Sequence, residues 1–125
     1  VGKEAGLNDI IDVVVPRAKI TQYMEKARAI AEKHSILLTG CGHAGDGNLH
    51  LGVFQPDPEL RSAIVKELLA AGLEIGGEIS AEHGVGAAKK PYYLELGDPA
   101  KIALMKRIKC AFDPKGILNP GILYD

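Results

Sequence analysis

Apolar and polar positions follow two rhythms along this chain. Residues 9–15 (DIIDVVV) form a β-branched-rich apolar run that stops at Pro16, which predicts a strand. Proline suits the first turn of a helix, and behind Pro16 the residues Ile20, Met24, Ala27 and Ala31 recur at helical spacing. That helix is expected to end near His34–Ser35. Residues 36–42 (ILLTGCG) and 48–54 (NLHLGVF) read as a second and a third strand. Asp57-Pro58 offers a cap followed by proline at the first helical position. Leu60, Ile64, Leu68, Ala71 and Ile75 then make one stripe over 58–75, and Gly76-Gly77 stops the helix. Residues 78–91 are punctuated by glycine and carry no clear period. Asp98-Pro99 opens another helix with the stripe Ile102, Met105, Ile108 and Phe112, ended by Asp113-Pro114. The tail 115-KGILNPGILYD-125 alternates turns with apolar residues. The order β-α-β-β-α-loop-α predicts an α+β fold, an antiparallel sheet with helices on one face.

Composition narrows the function classes. A chain of 125 residues is one domain by size. A net charge of −1 gives no electrostatic case for nucleic acid or an anionic membrane. Aromatic residues are 5% and tryptophan is absent, which argues against base-stacking platforms. Two cysteines, Cys41 and Cys110, make no disulfide framework and fit a reducing, cytoplasmic compartment; a single bridge between them stays an alternative. No apolar run approaches the ~20 residues that span a bilayer, and we expect no signal peptide. The chain does not begin with Met, so we expect it to be trimmed, processed or cut from something longer.

The stretch 41-CGHAGDGNLH-50 concentrates the chemistry. Asp46-Gly47 between two strand-like runs predicts a two-residue hairpin turn of type I′. Counting outward pairs Gly45 with Asn48, Ala44 with Leu49 and His43 with His50. Paired residues share a face with Cβ atoms ~4.5–5.5 Å apart, so two imidazoles would sit side by side. A longer loop through Gly45 would change that register. Adjacent imidazoles can share a divalent ion; the plainer reading is a hydrogen-bonded pair on a glycine-rich loop.

A second cluster follows at 80-SAEHGVG-86. Glu82 with His43 and His50 would complete a carboxylate-and-two-imidazole ligand set for a catalytic divalent metal, with a position left open. His83 would then be a spare imidazole where a general base is useful. In an extended segment Glu82 and His83 point opposite ways, so the backbone must turn, which Gly84 and Gly86 permit. The alternative is a solvated Glu and a loop-capping His. Asp46 reads as the turn residue before a ligand, and Asn48 either bonds a substrate or closes the turn. Cys41 shares the face of His43 and could be a soft ligand, although a small buried residue is the plainer reading.

GHAGDGNLH at 42–50, SAEHGVG at 80–86 and FDPKGILNPG at 112–121, with the opening DVVVPRAKI at 12–20, together resemble the C-terminal domain of FAD-linked oxidases. That family includes the glycolate oxidase flavoprotein subunit, D-lactate dehydrogenases and D-2-hydroxyglutarate dehydrogenase. The resemblance implies a ferredoxin-like cap, here partial, followed by a C-terminal helical tail. It implies that residues 1–125 are a fragment of a longer flavoenzyme whose N-terminal domain holds FAD. It implies a divalent metal (zinc, manganese or iron) at His43, His50 and Glu82, with His83 as the general base. Asn48 would line the substrate pocket and Asn119 would contact the flavin side. The implied reaction oxidises a small D-2-hydroxy acid to its 2-oxo acid, with an electron-transfer subunit as a further partner and little activity expected of the isolated fragment. D-2-hydroxyglutarate dehydrogenases carry Asn two residues after the second histidine, where this chain has Gly52, which disfavours a hydroxyglutarate-specific site. Two other readings of the clusters are a metal-dependent hydrolase and a non-catalytic, metal-stabilised assembly module.

Overall fold

The computed structural model describes residues 6–123. The chain divides into two compact units between His83 and Gly84.

In the first unit, β1 (Asp9–Val14) leads through a 3-10 turn at Arg17–Lys19 into α1 (Ile20–His34). Strands β2 (Leu37–His43) and β3 (Asn48–Phe54) follow, and then α2 (Pro58–Glu74). The sheet is antiparallel in the order β1-β3-β2. An isolated antiparallel bridge joins Glu78 to Val14 on the outer side of β1. The expected α+β architecture is present.

Alternation along the strands divides the sheet into two faces. Ile11, Val13, Leu49, Leu51 and Val53 point to one face and are buried with Ile64, Val65, Leu68 and Leu69 of α2. Helix α1 faces this core through Tyr23, Ala27 and Ala31. The expected stripe ran through Met24, which is 38% exposed; Tyr23 takes the core position instead. Its ring fills the interior while its hydroxyl donates to the Leu68 carbonyl at 3.1 Å, so the phenol is buried and satisfied. Burial pushes the Tyr23 phenol well above its ordinary value. Similarly, Leu60 lies outside the core stripe of α2 and Val65 and Leu69 lie within it. Asp57 caps α2 as expected, accepting the N–H groups of Glu59 and Leu60 at 2.9 Å each.

In the second unit, α3 (Gly86–Leu96) begins in the stretch 78–91 where the sequence shows no period, and α4 (Pro99–Phe112) begins at the expected proline. Asp113 closes α4. It accepts the N–H groups of Ile117 and Leu118 at 3.0 and 2.9 Å, together with the Lys109 ammonium. Those bonds, the Lys109 one foremost, lower the Asp113 carboxyl from 3.8 to about 2. The apolar stripe of α4 ends on Phe112, which is 85% exposed. Among the described residues no helix is long and apolar enough to cross a membrane.

Candidate active site

The site occupies the sheet face opposite α1 and α2. The β2–β3 connection is a four-residue loop, 44–47, rather than the expected two-residue turn. His43 therefore pairs with Asn48, and His50 pairs with Cys41 on one side and Asp12 on the other. The cause lies at Gly47, whose carbonyl accepts the Val15 N–H at 3.0 Å. Gly47 has φ +77°, and a Cβ there would lie 2.0 Å from the Val15 carbonyl oxygen. Asp46 does not share the positive φ that a type I′ turn demands at both central residues. The register differs from the expected one by two residues, which is a full period of the strand, so the histidines still share a face. Their rings lie 5.6 Å apart, edge to face.

Asp12 brings the second cluster to this face. Its carboxylate is fully buried in the middle of β1. One oxygen accepts the N–H groups of Ala81, Glu82 and His83 at 2.9, 2.8 and 3.0 Å, and the Ser80 hydroxyl lies 3.4 Å from each oxygen. A buried carboxylate that collects three consecutive backbone donors curls the segment around itself. This is the turn that the adjacent Glu-His pair requires: both side chains now reach His50. The sequence reading missed Asp12. Its one signal was an acid within an apolar run, on the alternate phase to Ile11 and Val13.

Glu82 is the hub. Its Oε1 lies 3.1 Å from His50 Nε2, 3.6 Å from His43 Nε2 and 3.8 Å from His83 Nε2. His83 stacks on His50 with centroids 4.8 Å apart, and its Nδ1 lies 3.9 Å from Asp12 Oδ1. His50 is nearly buried, whereas the His43, His83 and Glu82 side chains are about half exposed. One ligand atom from each of His43, His50 and Glu82 can be chosen so that all lie within 4.8 Å of one another. Around a tetrahedral ion with bonds of about 2.0–2.1 Å, ligand atoms sit roughly 3.3 Å apart. The donor types and their spacing therefore fit a divalent cation after a small contraction, with an approach from the open side.

Asn48 is buried on the same face, and among the described residues its Oδ1 has no hydrogen-bond partner, nor has Nδ1 of His50. Buried polar atoms are nearly always paired, so these two mark the face as one adapted to further groups. Cys41 is exposed, which corrects the reading of a small buried residue: its face is not the helix-covered one. Cys110 is also a free, exposed thiol, so the two form no bridge. Asp46 is an exposed turn residue, as expected. Asn119 belongs to the second unit, where it takes φ +47° in the tail turn and its carbonyl accepts the Ile122 N–H.

Comparison with known proteins gives this geometry a context. Residues 1–123 match the family described as FAD linked oxidases, C-terminal domain. An uncharacterized FAD-linked oxidoreductase of Mycobacterium tuberculosis is 51% identical over 122 residues, covering 98% of this chain and 27% of that protein. A D-lactate dehydrogenase of Archaeoglobus fulgidus is 43% identical over 115 residues, 90% of this chain and 26% of that protein. Glycolate oxidase subunit GlcD of Bacillus subtilis is 38% identical over 118 residues, 90% of this chain and 25% of that protein. The chain thus spans about a quarter of the length of the curated relatives it matches. With the three sequence motifs and a match over nearly every residue, the chain belongs to the family of FAD-linked oxidases, as a C-terminal domain.

Proposed function

We propose that this chain is the substrate-side domain of a longer FAD-dependent oxidoreductase, one that converts a small D-2-hydroxy acid of the lactate or glycolate kind to its 2-oxo acid. The relatives named D-lactate dehydrogenase and glycolate oxidase subunit support the reaction class. The observation that carries the proposal is the convergence of Glu82 with three imidazoles on one open sheet face.

His43, His50 and Glu82 would hold a divalent cation (zinc, manganese or iron, all suited to mixed nitrogen and oxygen ligands). When bound, that cation supplies Lewis-acid polarisation and FAD, carried by an N-terminal domain, supplies the hydride acceptor. The remaining work belongs to the residues of this chain. His83 accepts the proton of the 2-hydroxyl on its half-exposed imidazole. Asp12 fixes the backbone that presents Glu82 and His83 together. Asn48 offers its side-chain amide to the substrate, and Asn119 serves the flavin side. Electrons then pass to a separate electron-transfer subunit.

The test uses the full-length protein under anaerobic conditions, with flavin absorbance as the readout. D-lactate should bleach the flavin and L-lactate should not. Failure of every 2-hydroxy acid to bleach it would overturn the proposal.

A further inference from the structure

Two polar atoms on the open face of β3 lack partners among the described residues: Oδ1 of Asn48 and Nδ1 of His50. Both atoms are buried, so bulk water serves neither. The amide oxygen can only accept a hydrogen bond. The ring nitrogen donates or accepts according to which nitrogen of the imidazole carries the proton. The far side of the same ring bears on that choice. Nε2 of His50 lies 3.1 Å from Glu82 Oε1, and Nε2 of His43 faces the same oxygen at 3.6 Å. A cation held in this cluster takes the Nε2 lone pair of His50, which leaves the single proton of a neutral imidazole on Nδ1. That buried N–H then needs an acceptor.

Four positions border His50 on this face: Cys41 and Asp12 across the sheet, Asn48 and Gly52 along the strand. Gly52 has no side chain to offer. Cys41 is an exposed thiol, and thiol sulfur is a weak acceptor. Asp12 is committed to the 80–83 segment. One of its oxygens takes three backbone N–H groups, and the other lies 3.4 Å from the Ser80 hydroxyl and 3.9 Å from His83 Nδ1. Asn48 remains, with a buried acceptor that no described residue engages. Its backbone stands two residues from His50, roughly 6.5–7 Å along the strand. The terminal torsions of Asn and His are broad and two-fold, so both polar atoms can swing without leaving their rotamers.

We infer that Asn48 is a positioning residue of the cation site: its Oδ1 accepts the Nδ1–H of His50 and holds the ring in the tautomer that presents Nε2 to a divalent cation. The inference rests on the cation-binding reading proposed above. An amide does this without placing a second buried carboxylate near Asp12. Its Nδ2 hydrogens remain for the substrate, so one side chain orients the ring and meets the reactant.

The experiment strips the full-length protein of metal and titrates it with zinc against a chromophoric chelator, with no substrate present. Zinc is the probe because nitrogen and oxygen sites bind it more tightly than manganese or iron(II). Asn48→Leu, close in shape but without an acceptor, should raise the zinc Kd roughly 10–100-fold. Asn48→Asp keeps an acceptor and should stay within about fivefold of the parent protein. Cys41→Ala, at the cross-strand neighbour of His50, should stay within about threefold. A residue that served the substrate alone would move none of these values. A zinc Kd unchanged in Asn48→Leu, or weakened equally by Cys41→Ala, would overturn the inference and leave the cation site standing. No zinc bound by the parent protein would sink the site and the inference together. Should Asn48→Leu fail to fold, a crystal structure of the zinc-loaded parent protein decides: Asn48 Oδ1 should lie about 2.7–3.2 Å from His50 Nδ1. Another acceptor at Nδ1, or a separation beyond about 3.5 Å, would refute the inference.

Discussion

The two faces of β3 are built from alternate residues of one seven-residue strand, and they follow opposite rules. Leu49, Leu51 and Val53 are sealed under α1 and α2. Asn48, His50 and Gly52 look the other way, onto a face that carries imidazoles, an orphaned amide oxygen and an open pocket. The comparison teaches where the order of the site originates. On the helix side, apolar packing sets the geometry. On the open side the organiser is one buried carboxylate, Asp12, which ties a segment 69–71 residues away to the middle of β1.

That contrast can be broken most severely at His83. His83→Ala in the full-length protein should lower kcat by 10²–10⁴-fold, the usual contribution of a positioned general base. The matching change on the helix side, His34→Ala, removes an imidazole 3.0 Å from Glu67 and should leave turnover within about twofold. A smaller loss, within about threefold, for His83→Ala would remove the base assignment.

On the packed face the currency is stability instead. Leu51→Ala should cost about 2–5 kcal/mol in urea unfolding, since it opens a cavity beneath both helices. Cys41→Ala, across the same sheet on the open side, should change stability by less than about 0.5 kcal/mol. Asp12→Ala lies between these, at about 1–3 kcal/mol for the stranded backbone donors. Its distinguishing mark is local: amide exchange at Ala81, Glu82 and His83 should accelerate far more than in the core strands.

The smallest effect tests the second unit against the first. Asp113 is lowered from 3.8 to about 2 by its bonds to Lys109, Leu118 and Ile117. A depressed carboxyl stabilises the fold fully above its unfolded value and loses that contribution as pH falls through the folded value. Stability should therefore decline between about pH 4 and pH 2, and Asp113→Asn should flatten that acid limb without touching turnover chemistry in the first unit.

Much of this was legible in the sequence. The strand at 48–54 and the helix starts at Pro58 and Pro99 follow from alternation and Asp-Pro caps, which are local signals. Tyr23 displaced Met24 from the core because its hydroxyl found a carbonyl on α2, a partner that periodicity does not reveal. The hairpin is four residues long because Val15, the residue after β1, pins Gly47, a contact invisible to turn statistics. The face shared by His43 and His50 survived that error because strand geometry repeats every two residues. Asp12 was visible as an odd acid, but its role depends on donors at 81–83 that only the fold brings near.

Elemental analysis of the purified full-length protein tests the central claim most directly, run beside His50→Ala and Glu82→Gln. The account predicts about one divalent cation per chain, reduced more than about tenfold in both variants, with flavin content unchanged. A cation content indifferent to both substitutions, or a fully active enzyme that carries none, would contradict it.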